Sequence, residues 1–561
     1  MKTSKFFLSI PAVAIVLLHT AAIAQEEPDV ILINGKVVTV DDYFSIREAI
    51  AIRGDRIAAV GSDEEIRDLA GPESEVIDLG GRTVIPGLID NHNHVIRATE
   101  YWPNEARLDG ISNRDDALGR LEAKAVELPA SDWLMTLGGW SEGQFTGDRS
   151  EFTLEELDRI APNRPAFIQS GYEHALVNTA WFQQMGIPLV ASGEQQGFEA
   201  YVDRDESGRV TGKVDGGFPM IEQAIQRFPV VPAEKQSSAI RAAFNYLNSL
   251  GLTAVYDPAG VGIKTESYER LRAMADASGL SVRIAHTLGG STPRTEDDVR
   301  DLVAEIRSTR PFQGDVMLDL VAVGEIYYAP FHWDSSTRAT NPSAYDIALA
   351  KEILIAAAQG GWSVQTHATR PETIDHVLNL IEEVNEEHPM RALRWSLTHA
   401  DAITAEQLER VRQLGMNIQL RSFAVMSDRE PILEVLGESA YHMPPLRLVQ
   451  DSGVAFGLGT DGTKAAQINP FVTLWWAVTG KALNGSTILR ETLTREEALI
   501  ASTRSNAYLM YQEQNIGSIR SGNLADMVVL DRDYLTVPED EIKNIRSVAT
   551  IVGGRIVYGN L

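Results

Sequence analysis

The sequence predicts an α/β protein built around a (β/α)8 barrel of the TIM type, with a β-sandwich assembled from the two ends of the chain. Three observations lead to this prediction. Eight short β-type runs are spread through the middle of the chain, helical patterns separate several of them, and both ends consist of hairpin-like segments. At 561 residues the chain exceeds one ordinary domain, so a large domain with a smaller companion fits its length.

The first 24 residues differ from the rest of the chain. Two lysines precede an apolar run over 6–18, and an Ala-Ile-Ala triplet stands directly before Gln25. This is the pattern of a cleavable secretory signal peptide. An uncleaved membrane anchor is the alternative, but the apolar run is shorter than the ~20 residues that a span needs. We therefore expect residues 1–24 to be a signal peptide, and the mature chain to have no stable membrane span and to be periplasmic or secreted.

The segment 25–82 has the pattern of a β domain. Two β-rich runs surround Asn34-Gly35, which favours a type I′ turn because both central residues need a positive φ. A second hairpin is expected at Gly54-Asp55. The segment 483–561 repeats this style, with a hairpin pattern around Gly553-Gly554. We expect these two segments to form one β-sandwich.

The segment 83–482 is predicted to form the barrel. Its eight predicted strands are 83–89, 253–256, 281–288, 316–323, 362–367, 395–399, 416–420 and 454–460. A capping box at Thr404 and Gln407 marks one of the helices between them. The interval between the first two runs is too long for one helix. We therefore expect an inserted lobe at about 95–250 that roofs the active site.

Composition limits the classes of function. The chain has 50 basic and 78 acidic residues, and a net charge of −28 opposes binding to nucleic acid or to anionic membranes. It contains no cysteine, which excludes disulfides, thiolate ligands and a cysteine nucleophile. A transition-metal site in this chain would therefore use His, Asp and Glu.

Polar residues follow the predicted strands at their C-terminal ends, where a barrel of this type carries its functional groups. They are His92, His94, Glu325, His367, His399 and Asp461. His92 and His94 flank one residue, so in extended backbone both imidazoles point to the same side and can reach one cation. A single histidine at a strand end is more often structural, but four at one rim predict a metal centre.

The segment 86–94, which reads PGLIDNHNH, is followed in order by His367, His399 and the triplet 460–462, which reads TDG. These motifs resemble the amidohydrolase superfamily, particularly its YtcJ-like branch (amidohydrolase family 3), and the similarity covers nearly the whole mature chain. The resemblance implies a barrel with a composite β-sandwich and a centre of one or two divalent metal ions. It also implies hydrolysis of non-peptide, amide-like carbon–nitrogen bonds by metal-activated water.

The resemblance implies that His92, His94, His367, His399 and Asp461 bind the metal. Asp461 would also transfer the proton, and His399 or His174 would stabilise the oxyanion. The fourth strand of that branch usually supplies a lysine that can be carboxylated to bridge two metals, but the run 316–323 has none. Glu325 is the expected substitute ligand. The alternative is a solvated loop glutamate, and the sequence leaves these two interpretations open.

Three further residues are candidates for substrate binding: Trp140, His174 and His286. Ordinary packing is the alternative for each of them. Zn²⁺ is the expected metal for these donors, although nickel, cobalt, manganese or iron would fit them too. We expect a small-molecule substrate, and the sequence leaves a homo-oligomer open. The alternative functions are a lactone, ester or imine-bond hydrolase on the same site, or a non-catalytic extracytoplasmic binding protein.

Overall fold

The computed structural model describes residues 27–561 apart from 192, 261–262, 264, 289–291 and 428–429. The predicted signal peptide, 1–24, lies outside the described residues. The strands are Val30–Ile33 (β1), Lys36–Val38 (β2), Ile46–Arg47 (β3), Ala49–Arg53 (β4), Arg56–Gly61 (β5), Glu75–Asp78 (β6), Thr83–Pro86 (β7), Leu88–Asp90 (β8), Leu134–Leu137 (β9), Ala166–Ser170 (β10), His174–Val177 (β11), Val202–Arg204 (β12), Val210–Asp215 (β13), Leu252–Asp257 (β14), Arg283–Leu288 (β15), Leu318–Val323 (β16), Ser363–Ala368 (β17), Ser396–His399 (β18), Asn417–Arg421 (β19), Phe456–Gly459 (β20), Met527–Leu530 (β21), Ser547–Val552 (β22) and Arg555–Gly559 (β23).

Helices fill most of the connections between these strands. They are Asp63–Arg67 (α1), Val95–Ala98 (α2), Arg114–Glu127 (α3), Leu154–Ile160 (α4), Thr179–Met185 (α5), Gly217–Ile225 (α6), Ala233–Ser249 (α7), Thr265–Asp276 (α8), Glu296–Ser308 (α9), Ala329–His332 (α10), Ala344–Gly360 (α11), Pro371–Glu387 (α12), Ala405–Leu414 (α13), Glu430–Leu436 (α14), Leu446–Ser452 (α15), Pro470–Thr479 (α16), Arg495–Ala501 (α17) and Arg504–Leu509 (α18). Among the described residues, no helix is both long and apolar enough to cross a bilayer.

Eight parallel strands form the barrel, and they follow one another in sequence order from β8 through β14 to β20. Each contains or overlaps one of the eight predicted runs, so the prediction of a (β/α)8 barrel is confirmed. The first and last strands meet through the Asp90 carboxylate, which accepts hydrogen bonds from the backbone N–H and the hydroxyl of Thr460. The Asp461 N–H also donates to the carbonyl of His92 at 2.9 Å. These bonds hold the ends of both strands together at the rim.

The first predicted strand, 83–89, is divided at Gly87. Strand β7 pairs with β2 and β21 in the sandwich, whereas β8 pairs with β14 in the barrel. A Cβ at Gly87 would lie 2.1 Å from Oγ1 of Thr253, so only glycine fits at this close approach. One residue therefore separates the two domains at this point of the chain.

The β-sandwich is built from both ends of the chain, as predicted. One sheet has the order β5-β4-β1-β6, and the other has the order β23-β22-β21-β7-β2-β3, which mixes N-terminal and C-terminal strands. Leu32 and Ile50 from the first sheet pack against Met527 and Ile551 from the second in a buried core. The two ends of the chain are thus joined by hydrogen bonds and by apolar burial.

The lobe between β8 and β14 is organised around a five-stranded sheet with the order β12-β13-β11-β10-β9. It reaches the barrel rim where the Gly139 N–H donates to the carbonyl of Lys464 at 2.9 Å. Helix α7 falls within the predicted lobe, 95–250, but its residues Ile240 and Phe244 pack in the barrel core. Helices α17 and α18 lie beyond 482 and still contact barrel strand β20. The structure therefore gives the barrel a larger share of the chain than the sequence indicated.

Candidate metal centre

Six predicted residues converge at one rim of the barrel. His92 and His94 follow β8, Glu325 follows β16, His367 and His399 lie at the ends of β17 and β18, and Asp461 follows β20. All six are buried, and Glu325 is only 5% exposed, which excludes a solvated loop glutamate. Because the strands are parallel, their C-terminal ends bring these side chains together from distant parts of the sequence.

Glu325 lies between two pairs of histidines. Its Oε1 lies 3.5 Å from Nε2 of His92 and 3.3 Å from Nε2 of His94. Its Oε2 lies 3.2 Å from Nδ1 of His367 and 3.0 Å from Nε2 of His399. Each carboxylate oxygen thus completes one group of donors that is compact enough to hold a cation.

In His94 and His367, the ring nitrogen that faces away from Glu325 is hydrogen-bonded to another residue, and the second ring nitrogen faces Glu325. Nδ1 of His94 lies 2.7 Å from the carbonyl of Ala259, so it carries the proton and donates. Nε2 of His367 likewise donates to Asp334, whose carbonyl and carboxylate oxygens both lie 3.2 Å away. Such contacts fix which nitrogen of each ring keeps its proton, and they direct the other nitrogen toward Glu325, where it can ligate a metal once it is deprotonated.

Asp461 joins the cluster on one side and an arginine on the other. Its Oδ1 lies 3.3 Å from Nε2 of His94 and 3.8 Å from Nε2 of His92. Its Oδ2 accepts a hydrogen bond from Nη1 of Arg421 at 2.6 Å. Arg421 is itself buried and donates through Nη2 to Asp401 at 2.7 Å. One buried guanidinium therefore pairs with two carboxylates and fixes the orientation of Asp461.

The electrostatics of the cluster favour positive charge. Burial opposes protonation of His94, but its bonds to Asp461 and Glu325 raise the pKa of its imidazole to about 9. For His367, Asp334 and Glu325 likewise outweigh burial and raise the pKa to about 10. Burial tends to raise the pKa of Glu325 and of Asp461, but the surrounding histidines hold each pKa below its usual range. Both carboxylates are therefore ionised, and a cation would be well accommodated between them.

The donor set also contains buried atoms without partners. Among the described residues, neither ring nitrogen of His92 and not Nδ1 of His399 makes a hydrogen bond, although all three atoms are buried. Burial, with the charges of Arg421 and His367, lowers the pKa of His399 to about 3, so this ring is neutral. Neutral imidazoles with free lone pairs, placed around ionised carboxylates, are the donors that divalent transition metals bind. The residues present fit a metal centre.

Residues 75–558 match the amidohydrolase family. The chain belongs to this family. The predicted resemblance is therefore confirmed, and so is the prediction of a hydrolase. The match includes all six residues of the cluster but begins after strand β5 of the sandwich, so this amidohydrolase has its candidate site within the part that defines the family.

Relatives of this amidohydrolase extend over nearly its whole length. N-substituted formamide deformylase of Arthrobacter pascens is 27% identical over 548 residues, which cover 94% of this chain and 98% of the relative. YtcJ of Bacillus subtilis is 26% identical over 540 residues, which cover 94% and 98%. An uncharacterized metal-dependent hydrolase of Pyrococcus horikoshii has the same fold, with a TM-score of 0.63, 21% identity and coverage of 91% and 99%.

None of the three predicted substrate-binding residues of the amidohydrolase belongs to the cluster of six. Trp140 stacks on Phe152 in the core of the lobe and donates from Nε1 to Gln169, which accounts for its burial without a substrate. The ring of His286 stacks on Tyr268 of α8 at 4.2 Å, so the side chain points into the helix layer.

His174 also lies outside the metal-ligand cluster. Its Nε2 is 3.4 Å from Glu142 and 3.6 Å from Glu151, and all three residues belong to the lobe.

Near the lobe, a cavity of about 270 Å³ has Arg97, Gln236 and Arg270 among its lining residues.

Sequence reasoning missed the residues that support the ligands. Arg421 ends strand β19, so the rule that found the histidines could have found it, had arginines been considered. Asp401 follows His399 closely in sequence and is a similar case. Asp334 lies beyond the short helix α10 and reaches His367 only through the folding of a loop. No pattern in the sequence indicates that contact.

Proposed function

We propose that this amidohydrolase cleaves a non-peptide, amide-like carbon–nitrogen bond of a small molecule at a centre of two divalent cations. One observation carries the proposal. The two oxygens of Glu325 face different pairs of histidines, and a carboxylate in this position replaces the carboxylated lysine that the sequence lacks. Two cations repel each other strongly unless an anion lies between them, and Glu325 supplies that anion.

The ligands divide into two groups under this proposal. His92 and His94, with Oε1 of Glu325 and Oδ1 of Asp461, would hold one ion. His367 and His399, with Oε2 of Glu325, would hold the other. Zinc is the metal we propose, because imidazole and carboxylate are its usual ligands in hydrolytic sites.

A bound divalent cation supplies Lewis acidity, which makes water nucleophilic near neutral pH and polarises a carbonyl group. Asp461 then acts as the proton carrier, because its Oδ1 faces the cluster while Arg421 holds its Oδ2. It accepts the proton of the attacking water and delivers it to the departing nitrogen. His399 would be a ligand through Nε2, which faces Glu325, and any hydrogen bond from its ring to the oxyanion would then have to come from Nδ1.

The relative from Arthrobacter pascens suggests the first compounds to test. It is named for N-substituted formamides, and its similarity extends over 98% of its own length. We therefore propose N-formyl amines as the starting class. If the protein hydrolyses a matched series of lactones or esters and none of the amides, it is a lactone or ester hydrolase and the proposed amide hydrolysis is wrong.

Substitution Glu325→Gln tests the two-metal centre. A neutral amide cannot supply the bridging charge, so we expect the zinc content of the purified protein to drop from two ions to one and turnover to fall by at least about 100-fold. Metal analysis and formate release measure the two effects. Glu352→Gln is the matched control, because Glu352 is exposed on helix α11. This variant should keep the zinc content and the turnover of the wild type. Equal metal content in wild type and Glu325→Gln would remove Glu325 from the centre.

A further inference from the structure

Arg97 lies beside the cluster of six, and within the described part of the chain it forms no ion pair with a carboxylate. It follows His94 by three residues, and a Cβ placed at Gly260 would lie 3.3 Å from both Nη1 of Arg97 and Nδ1 of His94. Among the described residues, its one hydrogen bond runs from Nη2 to the hydroxyl of Tyr172 at 2.5 Å. Its Nε is buried and has no hydrogen-bond partner in the parts of the chain that the structure describes. A guanidinium next to a catalytic centre therefore retains unused donors.

Tyr172 connects Arg97 with the centre. The negative charges of Asp461 and Glu325 are close enough to act on its hydroxyl, and burial is the main reason why the pKa of Tyr172 is raised. The tyrosine is thus protonated at neutral pH. Since its oxygen already accepts from Arg97, its own O–H remains available to donate to a ligand.

Lys464 is a second cation near Arg97, because the segment that carries it is joined to the segment of Arg97: the hydroxyl of Thr463 donates to the carbonyl of His94, and Gly462 bridges to Asn93. Lys464 is only 5% exposed, and none of the ion pairs within 4.0 Å among the described residues involves it. Burial and then the charge of Arg97 lower its pKa to about 8, while Glu105 and Glu100 act on it more weakly from beyond ion-pair distance. Two neighbouring cations in a largely buried place repel each other, so the arrangement costs stability unless an anion occupies it.

We propose that Arg97, Tyr172 and Lys464 form a subsite for a carboxylate of the substrate. This inference rests on the proposed amide hydrolysis, and it narrows the substrate to N-acyl amino acids or related amides that carry a carboxylate near the scissile bond. The whole molecule has a net charge of −28, so uncompensated cations at this position are not a general property of its surface. They provide a local attraction for an anionic substrate.

Aromatic rings extend from this subsite along the cluster. The ring of Tyr172 contacts Phe218 at 5.5 Å, and Phe218 contacts Trp333 at 5.1 Å. Trp333 precedes Asp334, the partner of His367, so this aromatic row runs from the side of His94 to the side of His367. The rings are partly exposed and would pack against an apolar group of the substrate. An N-acyl aromatic amino acid combines the carboxylate, the amide and the apolar group.

Matched substrates test the subsite. We would measure formate release from N-formylphenylalanine and from N-formylphenylalaninamide, which differ only in the carboxylate, with zinc-loaded protein. The expected result is a kcat/KM for the carboxylate that exceeds that for the amide by at least about tenfold. Arg97→Met and Lys464→Met should each reduce this ratio about 10- to 100-fold, mainly through KM. Either variant suffices if the other fails to fold.

The control and the outcomes separate the subsite from the reaction. Arg241→Met removes an exposed arginine of α7 and should leave the ratio unchanged. Two results would overturn the subsite while the proposed function stands, because formate is still released. One is a kcat/KM ratio near one for the two substrates in the wild type. The other is a ratio in both subsite variants that equals the wild-type ratio. If neither compound is hydrolysed, the proposed function fails and calorimetry with phenylacetate and phenylacetamide decides the subsite. Weaker phenylacetate binding by Arg97→Met supports it, and equal binding overturns it.

Discussion

At the scale of single residues, Arg421 governs how Asp461 can act. Its guanidinium bonds to Asp461 and Asp401, and all three side chains are buried. The charge of Arg421 lowers the basicity of Asp461, but it also fixes which carboxylate oxygen faces the metal ligands. Orientation is therefore gained at some cost in basicity, and we regard Arg421 as a positioning residue.

Arg421→Met should destabilise the protein by about 3–5 kcal/mol, because two buried carboxylates lose the guanidinium that bonds to both of them. The pKa of Asp461 should then rise, so the stability deficit should shrink as the pH falls and this carboxylate becomes protonated. Urea unfolding at pH 5 and pH 8 measures this. Arg447→Met, which breaks a half-exposed pair with Glu497, should cost about 1 kcal/mol or less. An equal cost for both variants would contradict the role of Arg421.

The raised pKa values of His94 and His367, about 9 and about 10, predict proton release on metal binding. Without a metal ion both rings are doubly protonated and positively charged at pH 7, whereas a ring that ligates a metal has to be neutral. Protonation stabilises the metal-free fold fully below the unfolded pKa near 6.5, and this stability is lost as the pH rises through 9–10. Zinc affinity should therefore increase with pH up to that window. Calorimetry in two buffers at pH 7 should show release of about two protons, and no release would contradict the assignment.

The six residues of the cluster could be predicted because all of them lie at strand ends, where the alternation of strands and helices sets their position. Arg97 and Lys464 could not be predicted in this way. Each gains its significance from the ion pair that it does not form among the described residues, and the lack of such a pair is a property of the folded structure. Motifs report which residues are present, but they do not report which charges remain uncompensated.

At the scale of elements, all eight barrel strands could be predicted from short β-type runs, and their bounds shift by a few residues. The run 83–89 was predicted as one strand, but it serves two sheets. The run is almost continuously apolar from Val84 to Ile89, so its pattern does not reveal a change of sheet. The lobe was expected from its length alone, and its five-stranded sheet was not predicted, because its strands carry no motif.

Gly87→Ala should destabilise the protein by about 1–3 kcal/mol, because the added Cβ would lie 2.1 Å from Oγ1 of Thr253. Gly119→Ala is the matched control. Gly119 lies on the exposed side of α3, and a Cβ there would meet no atom within 4 Å. This substitution should stabilise the helix by about 0.5–1 kcal/mol. Chemical denaturation of the wild type and the two variants measures the free energy of unfolding, which should fall for Gly87→Ala and rise for Gly119→Ala. A stable Gly87→Ala protein would show that the junction can relax.

At the scale of the whole molecule, the composite sandwich could be predicted because both ends of the sequence carry the same hairpin style. The share of the chain that belongs to the barrel could not, because α17 and α18 read as ordinary amphipathic helices. Their contacts with the barrel follow from tertiary packing, which sequence periodicity alone does not specify.

We propose that the mature protein begins near Gln25 and is exported. The two lysines, the apolar run and the Ala-Ile-Ala triplet within 1–24 support this proposal. N-terminal sequencing of the protein purified from its native source should give a start near Gln25, and cell fractionation should recover it outside the cytoplasm. An intact Met1 on the soluble protein would contradict the proposal.

The position of β21 in the sandwich has a consequence for the order of events during synthesis. Strand β7, made early, pairs with β21, which begins only at Met527. The ribosome must therefore finish almost the entire polypeptide before the N-terminal strands gain their last neighbours. Until then the edge of β7 that later pairs with β21 is unpaired, and it could form hydrogen bonds with a strand of another chain. The domain that appears first in the sequence is the one whose folding is completed last.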